Sequence, residues 1–271
     1  MSRRLKLVCL FPGVLATVLL SSGCEKLRAR DHLNKGVAAY RNARYPDAVE
    51  HFKVAVELDP QFPTARLYLA TAYMSQYIPG ADSPENNQMA QSAHEQFLKV
   101  LEQDPKNSVA IASIASLFFN QKKLDDAKEW NLKLIAVDSQ NKEALYTLGV
   151  IAWTKTFQVR MEARAKLGMK PEDPGPLKDK KVRAEVREKN LPIVEEGLKN
   201  LEKALEIDKE YADAMAYLNL LHRERADLVE TAEEYKADIE KADTWVQKTL
   251  ETKKLIQARQ EKAGGAVTLD Q

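Results

Sequence analysis

Apolar residues recur three and four positions apart along most of this chain, in segments separated by short polar breaks. In residues 45–58, for example, Val49, Phe52 and Val56 follow this spacing, which places them on one face of a helix. Pro60 and Pro63 stand just after such a segment, where a helix has to end or begin. Runs that alternate apolar and polar residues, as half-buried strands do, are missing. The pattern therefore predicts an all-α protein.

The amino terminus has a different pattern. The basic sequence MSRRLK is followed by the apolar stretch LVCLFPGVLATVLL and then by the small residues of SSGC. This order is typical of a secretory signal, which we assign to residues 1–23. The apolar stretch is short for a bilayer span, which takes about 20 residues, so a permanent transmembrane helix is the alternative interpretation.

The sequence Leu20-Ser21-Ser22-Gly23-Cys24 resembles the lipobox of bacterial lipoproteins. It departs from that motif in having Ser21 where the family usually carries Leu. The resemblance implies cleavage before Cys24, acylation of its thiol, and an exported protein anchored in the cell envelope. Residues 24–28 would be a short linker, at most about 18 Å long when extended. Glu25 is not the usual inner-membrane retention signal, so the expected location is the outer membrane, facing the periplasm.

The number and positions of the cysteines agree with this interpretation. The only other cysteine is Cys9, which lies inside the predicted signal and would be lost with it. No disulfide would then be possible within the mature chain.

The segment from Gly36 to Pro60, GVAAYRNARYPDAVEHFKVAVELDP, resembles the tetratricopeptide (TPR) repeat of about 34 residues. Small residues such as Gly36, Ala48 and Ala55 stand where paired helices approach closely, and Phe52 stands where the repeat carries a bulky residue. The resemblance implies helical hairpins stacked so that each contacts its neighbours.

Related patterns continue downstream and define the predicted domain organisation. We expect a right-handed superhelix of about five helical hairpins with a C-terminal capping helix. The TPR domain covers 29–263, with repeats at 29–62, 63–107, 108–141, 142–211 and 212–263, insertions at 77–87 and 155–190, and a disordered tail at 264–271. The second insertion has an excess of basic residues and could contact anionic lipid or a partner, or could simply be solvated.

In TPR proteins the first helices of successive hairpins line a concave groove that binds a protein or peptide. Transferred to this sequence, the groove positions with apolar or large side chains are Leu33, Val37, Tyr40, Leu67, Met74, Phe119, Tyr146, Val150, Trp153, Leu220 and Arg223. The row of large side chains suits an amphipathic helix or an extended apolar peptide. The alternative is that the long insertion or the C-terminal helix folds back and fills the groove.

The net charge of the chain and the absence of catalytic or ligand-binding motifs make several classes of function unexpected. The chain has a net charge of +1, so nucleic acid is not an expected partner. The four histidines, His32, His51, His94 and His222, fall in different helices or hairpins, so no metal site is expected. No glycine-rich phosphate loop and no evident catalytic group stands out, so we expect neither an enzyme, a cofactor nor a small-molecule substrate.

The sequence thus predicts a lipid-anchored scaffold or adaptor that mediates protein–protein interaction in the bacterial cell envelope. One alternative is an assembly factor of an envelope machine, similar to pilotins or outer-membrane-assembly lipoproteins. Another, from a different class, is an accessory to a cell-wall enzyme or an enzyme built on the repeat fold.

Overall fold

The computed structural model describes residues 13–267 of the chain, with side chains for residues 24–262. The start of the predicted signal, 1–12, and the last four residues of the predicted tail lie outside the described residues. Within residues 13–267 the secondary structure is ten helices and no strand, so the all-α prediction is confirmed. The helices are α1 Gly13–Arg41, α2 Tyr45–Leu58, α3 Pro63–Met74, α4 Pro84–Gln103, α5 Ser108–Asn120, α6 Leu124–Val137, α7 Lys142–Lys166, α8 Lys180–Ile207, α9 Ala212–Ala226 and α10 Ala232–Val267.

Local sequence signals set several of the helix starts. The side-chain oxygens of Ser83, Asn107 and Asn141 each accept a hydrogen bond from a backbone N–H in the first turn of the helix that follows. These caps satisfy N–H groups that have no partner within the helix. Pro63 and Pro84 occupy the first position of their helices, where a missing N–H costs nothing.

The chain forms two compact units, and the first ends at Gln121. In this unit α1 pairs with α2, and α3 pairs with α4. Phe52 is fully buried among Ala39, Ala48, Leu69 and Ala72. Three of these four residues are alanines, in agreement with the small residues of the repeat resemblance, and the ring of Tyr68 stacks on Phe52 with a centroid distance of 5.5 Å.

The second unit runs from Lys122 and contains α6 to α10. Its two principal helix pairs are α7 with α8 and α9 with α10. The core between them includes Leu145, Ala152, Val194, Leu201 and Leu218.

The predicted insertion at 155–190 is mostly helix, because α7 continues to Lys166 and α8 begins at Lys180. The loop between them buries Met169 and Leu177 against Ala163, Val186 and Leu228. The sequence left open a partner contact, a solvated segment or a fold-back into the groove for this insertion, and it did not predict this small core.

The first predicted insertion contains a loop over residues 75–83. Asn86 is buried and fastens this loop from the first turn of α4. Its side-chain oxygen accepts a hydrogen bond from the N–H of Ile78 at 2.7 Å, and its Nδ2 donates to the carbonyls of Ile78 at 2.9 Å and Ala81 at 2.7 Å. Asn86 thus ties the backbone of Ile78 and Ala81 to α4, while the side chain of Ile78 is exposed.

Near both termini, the described residues are more helical than expected. Residues 24–28, predicted as a linker, are part of α1, and α10 continues four residues into the predicted tail. Among the helices described, none has a stretch apolar and long enough to cross a bilayer.

Candidate docking surface

The predicted groove positions of the first unit lie mostly against its core. Leu33, Val37 and Tyr40 of α1 are half-buried and pack on the cluster around Phe52. Tyr40 is also held by its hydroxyl, which lies 2.8 Å from the Oγ of Ser75. The remaining predicted positions of this unit, Leu67, Met74 and Phe119, are half-buried.

In the second unit the predicted positions separate into three kinds. Val150 is only 8% exposed and belongs to the core, so it offers little surface to a partner. Arg223 forms an ion pair with Asp243 of α10 at 2.6 Å, and Leu220 beside it is half-buried. Tyr146 and Trp153 of α7 are half-buried with their rings against α9.

Tyr146 and Trp153 belong to a larger group, which we call the aromatic cluster: Tyr146, Trp153, Phe157, Tyr211 and Tyr217. Tyr217 contacts both α7 rings edge-on, with centroid distances of 5.5 Å to Tyr146 and 5.7 Å to Trp153. Tyr211 lies 5.2 Å from Tyr146, and Phe157 lies 4.9 Å from Trp153. All five side chains are half-buried. The cluster is therefore ordered by its own contacts and still presents part of each ring.

Three of these five rings were missed from the sequence. The repeat pattern that assigns Leu220 of α9 to the groove also assigns Ala216, about one helical turn earlier, and a shift of one residue to Tyr217 turns the side chain by about 100°. Phe157 continues the same face of α7 one turn beyond Trp153, a spacing that the sequence displays.

Cations flank the aromatic cluster at both ends of its α7 face. Lys142 Nζ lies 5.0 Å from the ring centre of Tyr211 and 2.6 Å from Asp208. Arg160 Cζ lies 5.6 Å from the ring centre of Phe157. Burial raises the pKa of Tyr211 to about 12 and also raises that of Tyr146. Both hydroxyls are protonated at neutral pH, as an ordinary tyrosine is, and that of Tyr146 also hydrogen-bonds with Tyr217.

A buried charged network lies beyond the Phe157 end of the cluster. Arg160 donates from Nε to Glu224 and from Nη1 to Asp227, each at 2.9 Å. Arg164, only 2% exposed, donates to Asp227 at 2.7 Å and, through Nη2, to the carbonyls of Lys170 and Asp173, also at 2.7 Å. The network thus joins α7, α9 and the 167–179 loop.

Glu224 is the least satisfied member of this network. Its Oε2 is buried without a hydrogen-bond partner. Burial raises the pKa of Glu224 to about 7, although Arg160 acts in the opposite direction. Its protonation therefore changes near neutral pH.

A cleft of the second unit with a volume of about 540 Å³ lies away from the predicted positions, between α8 and α10. His222 and Arg225 of α9 line it, and both are bonded to Asp238, at 3.1 Å from His222 Nδ1 and 3.0 Å from Arg225 Nε. Burial raises the pKa of Asp238, but the hydrogen bonds from His222 and Arg225 outweigh it and hold the pKa below its usual value. These groups satisfy one another, which favours a structural role.

Comparisons with known proteins show the fold. No family model and no curated protein matches the chain. A solved structure of MamA from Desulfovibrio magneticus RS-1 is 16% identical, with 84% of this chain and 96% of that chain covered and a TM-score of 0.55. YrrB, described as a TPR protein with an unusual peptide-binding site, is 14% identical over 88% of this chain and 97% of its own, with a TM-score of 0.53. The chain therefore has a TPR fold, as the repeat resemblance implied.

Proposed function

We propose that this protein is a lipid-anchored TPR scaffold of the bacterial cell envelope whose aromatic cluster docks a peptide segment of a partner protein. The single observation that carries the docking proposal is the cluster itself. Five aromatic rings, three on α7, one on α9 and one at Tyr211 just before α9, form a chain of contacts and remain half-buried. Rigid aromatic side chains with partly exposed faces are the residues that most often dominate binding energy at protein interfaces.

The surroundings of the cluster favour a peptide over a small molecule. Lys142, whose side chain is 32% exposed and pairs with Asp208, stands at one end of the α7 face, so the apolar contacts have a charged residue at that edge. Protonated hydroxyls of Tyr146 and Tyr211 add hydrogen-bond donors. An apolar centre with a polar edge is the usual composition of a protein interface. The TPR protein YrrB, whose solved structure is described as having a peptide-binding site, supports the same class of ligand.

The membrane part of the proposal rests on the lipobox resemblance and on Cys24. Cys24 is exposed in α1, where its thiol is open to modification. Lys26, Arg28 and Arg30 follow it, and each basic residue near an anionic membrane surface contributes about 1 kcal/mol.

Site-specific photocrosslinking in the native cell tests the docking proposal. A photoreactive phenylalanine analogue replaces Trp153 in the full chain, and a matched variant carries it at Val159, which is 38% exposed on another side of α7. We expect a discrete adduct with one protein from position 153 and none from position 159. The adduct should weaken when Tyr217→Ala removes the ring that contacts Tyr146 and the side chain at position 153.

Two results would contradict the docking surface. Equal adducts from positions 153 and 159 would indicate unspecific collision, and no adduct from position 153 in cells that retain the protein would show that the cluster only packs the fold. Circular dichroism of the Tyr217→Ala variant controls for loss of helical structure.

A further inference from the structure

We propose that a groove between α8 and α10 binds an amphipathic helix of a partner protein, with acidic residues of that helix on the α10 side. The cleft of about 540 Å³ described above continues into a second cleft of about 310 Å³, and the two share Glu195, Arg225 and Lys241. Together they lie along residues 187–202 of α8 and 234–248 of α10. We call this surface the α8–α10 groove. The five residues of the aromatic cluster lie outside it.

The α8–α10 groove has the length and direction of a helix. The stretches 187–202 and 234–248 each rise about 21–22 Å along their axes. The two helices run in the same direction here, because the lining residues before Glu195 and Lys241 belong to the smaller cleft and those after them belong to the larger one. A groove between two parallel helices suits a third helix, in this case one of about four turns.

Each wall of the larger cleft is one face of its helix. The wall residues are Glu195, Leu198, Lys199 and Glu202 of α8, and Lys241, Thr244, Trp245 and Lys248 of α10. Both sets are spaced i, i+3, i+4 and i+7, which is a single stripe along a helix. Leu198 and Trp245 therefore form an apolar centre between charged ends. A helix lying along these walls has residues at the same spacing to place against them.

The floor of the groove is already formed. Asp238 accepts hydrogen bonds from His222 Nδ1 at 3.1 Å and from Arg225 Nε at 3.0 Å. The side chains of His222 and Asp238 are only 5% and 6% exposed. Because these groups hold one another in place, a docking helix meets a preorganised surface, and binding loses less conformational entropy.

The lysines of the two walls have no acidic partner among the described residues. Lys199, Lys241 and Lys248 form no ion pair there, although Glu195 and Glu202 stand in the same cleft. Lys248 instead lies with its Nζ 4.3 Å from the ring centre of Trp245. The charges on both walls are therefore available to a partner.

The arrangement of these charges selects the occupant. On α10 the charged groups of the stripe are two cations seven residues apart, Lys241 and Lys248. Acidic residues at i and i+7 of a docked helix lie about 10 Å apart on one flank, the same separation. On α8 two glutamates stand on either side of Lys199, so the other flank of the occupant should carry basic residues. The groove thus fits a helix with charges of both signs and not a uniformly acidic chain.

Photocrosslinking from the groove in the native cell tests the proposal. A photoreactive phenylalanine analogue replaces Thr244, which is exposed in the larger cleft, and a matched variant carries it at Gln247, exposed on α10 outside the stripe. We expect one discrete adduct from position 244 and none from position 247. Mass spectrometry of the adduct should identify a helix-forming segment with Asp or Glu residues seven positions apart.

Charge reversal distinguishes docking from collision. Lys241→Glu combined with Lys248→Glu should reduce the adduct from position 244 at least fivefold, because like charges then face the acidic flank of the partner. Lys236→Glu combined with Lys254→Glu changes the net charge equally at exposed positions of α10 outside the groove, and the adduct should stay unchanged. Replacing the two acidic residues of the trapped segment by lysine should restore the adduct with the first double variant.

A trapped segment that lacks acidic residues seven positions apart, from another protein or from a second copy of this chain, would overturn the proposal. So would equal adducts from positions 244 and 247, an equal response of the two charge-reversed proteins, or no adduct from position 244 in cells that retain the folded chain. Urea unfolding of each variant controls for lost stability. The result at Trp153 is independent, because the aromatic cluster lies outside the α8–α10 groove.

Discussion

A side-chain carbon at Gly36 of α1 would lie 2.4 Å from Cε1 of Phe52 in α2, closer than two carbon atoms can approach. The Phe52 ring is fully buried among core residues, so it can move away only by displacing its neighbours. We therefore predict that Gly36→Ala destabilises the protein by about 1–3 kcal/mol, although alanine is otherwise the better helix former.

Urea unfolding measures this prediction. Asn34→Ala, at an exposed position of the same helix, serves as the control and should change stability little. If the Gly36→Ala protein were as stable as the parent, α1 and α2 would be able to move apart without loss of unfolding free energy, and the prediction would be wrong.

The same contact shows how much the sequence could predict. Gly36, Phe52 and Pro60 carry the repeat pattern, and the pattern depends on local packing between helices adjacent in sequence. For that reason the all-α fold and its similarity to TPR proteins could be predicted from the sequence.

Features that depend on contacts between residues far apart in the sequence could not be predicted. Arg164 is buried because Asp227, 63 residues away, pairs with it. Tyr217 completes the aromatic cluster because of a one-residue difference in helix register, which the repeat pattern does not resolve. His32 of α1 and His51 of α2, whose Nδ1 atoms lie 3.3 Å apart, meet because two helix faces lie in a particular rotation.

Replacing Glu224 should change the pH dependence of stability. The folded-state pKa is about 7, against an ordinary value of 4.5. Below pH 4.5 the carboxyl is protonated in both states; between pH 4.5 and 7 the unfolded chain ionises first, so stability falls as pH rises. We predict that Glu224→Gln removes a decline of about 3 kcal/mol across this window.

Urea unfolding at pH 4.5 and pH 8 measures the difference. Glu162→Gln, at an exposed position of α7, is the control and should keep the decline of the parent. A parent protein whose stability rises over this window as steeply as that of Glu224→Gln would contradict the assigned pKa.

Arg164→Met should release the 167–179 loop. The substitution removes the hydrogen bonds to Asp227, Lys170 and Asp173 and leaves the Asp227 carboxylate with one charged partner, Arg160. Breaking a buried ion pair typically costs about 3–5 kcal/mol. Hydrogen exchange should become faster across residues 167–179, whereas Lys166→Met, at an exposed site, should leave it unchanged.

Asn86→Ala should loosen the 75–83 loop without affecting the helices. Three hydrogen bonds are lost, each with a net contribution of about 0.5–1.5 kcal/mol. Faster exchange confined to the loop is the expected result. Asn87→Ala removes a single exposed contact with Asp82 and provides the comparison; equal exchange in the two variants would show that Asn86 does not hold the loop.

Cys24→Ser tests the proposed lipid anchor. Because the acyl group would be attached to this thiol, the variant should not incorporate a labelled fatty acid and should leave the membrane fraction. Thr64→Ser, an equally small change at an exposed position, should keep both properties. Labelling or membrane retention in the Cys24→Ser protein would remove the anchor from the proposed function.

In the described chain, residues 24–41 are an uninterrupted part of α1. An acyl group on Cys24 would thus be attached directly to a helix and not to a flexible linker. Each residue of this helix adds about 1.5 Å to the distance between the bilayer and the first hairpin. Tilting of that helix would carry the first hairpin with it. The angle at which α1 meets the bilayer would then decide which side of the first unit a neighbouring membrane protein can reach.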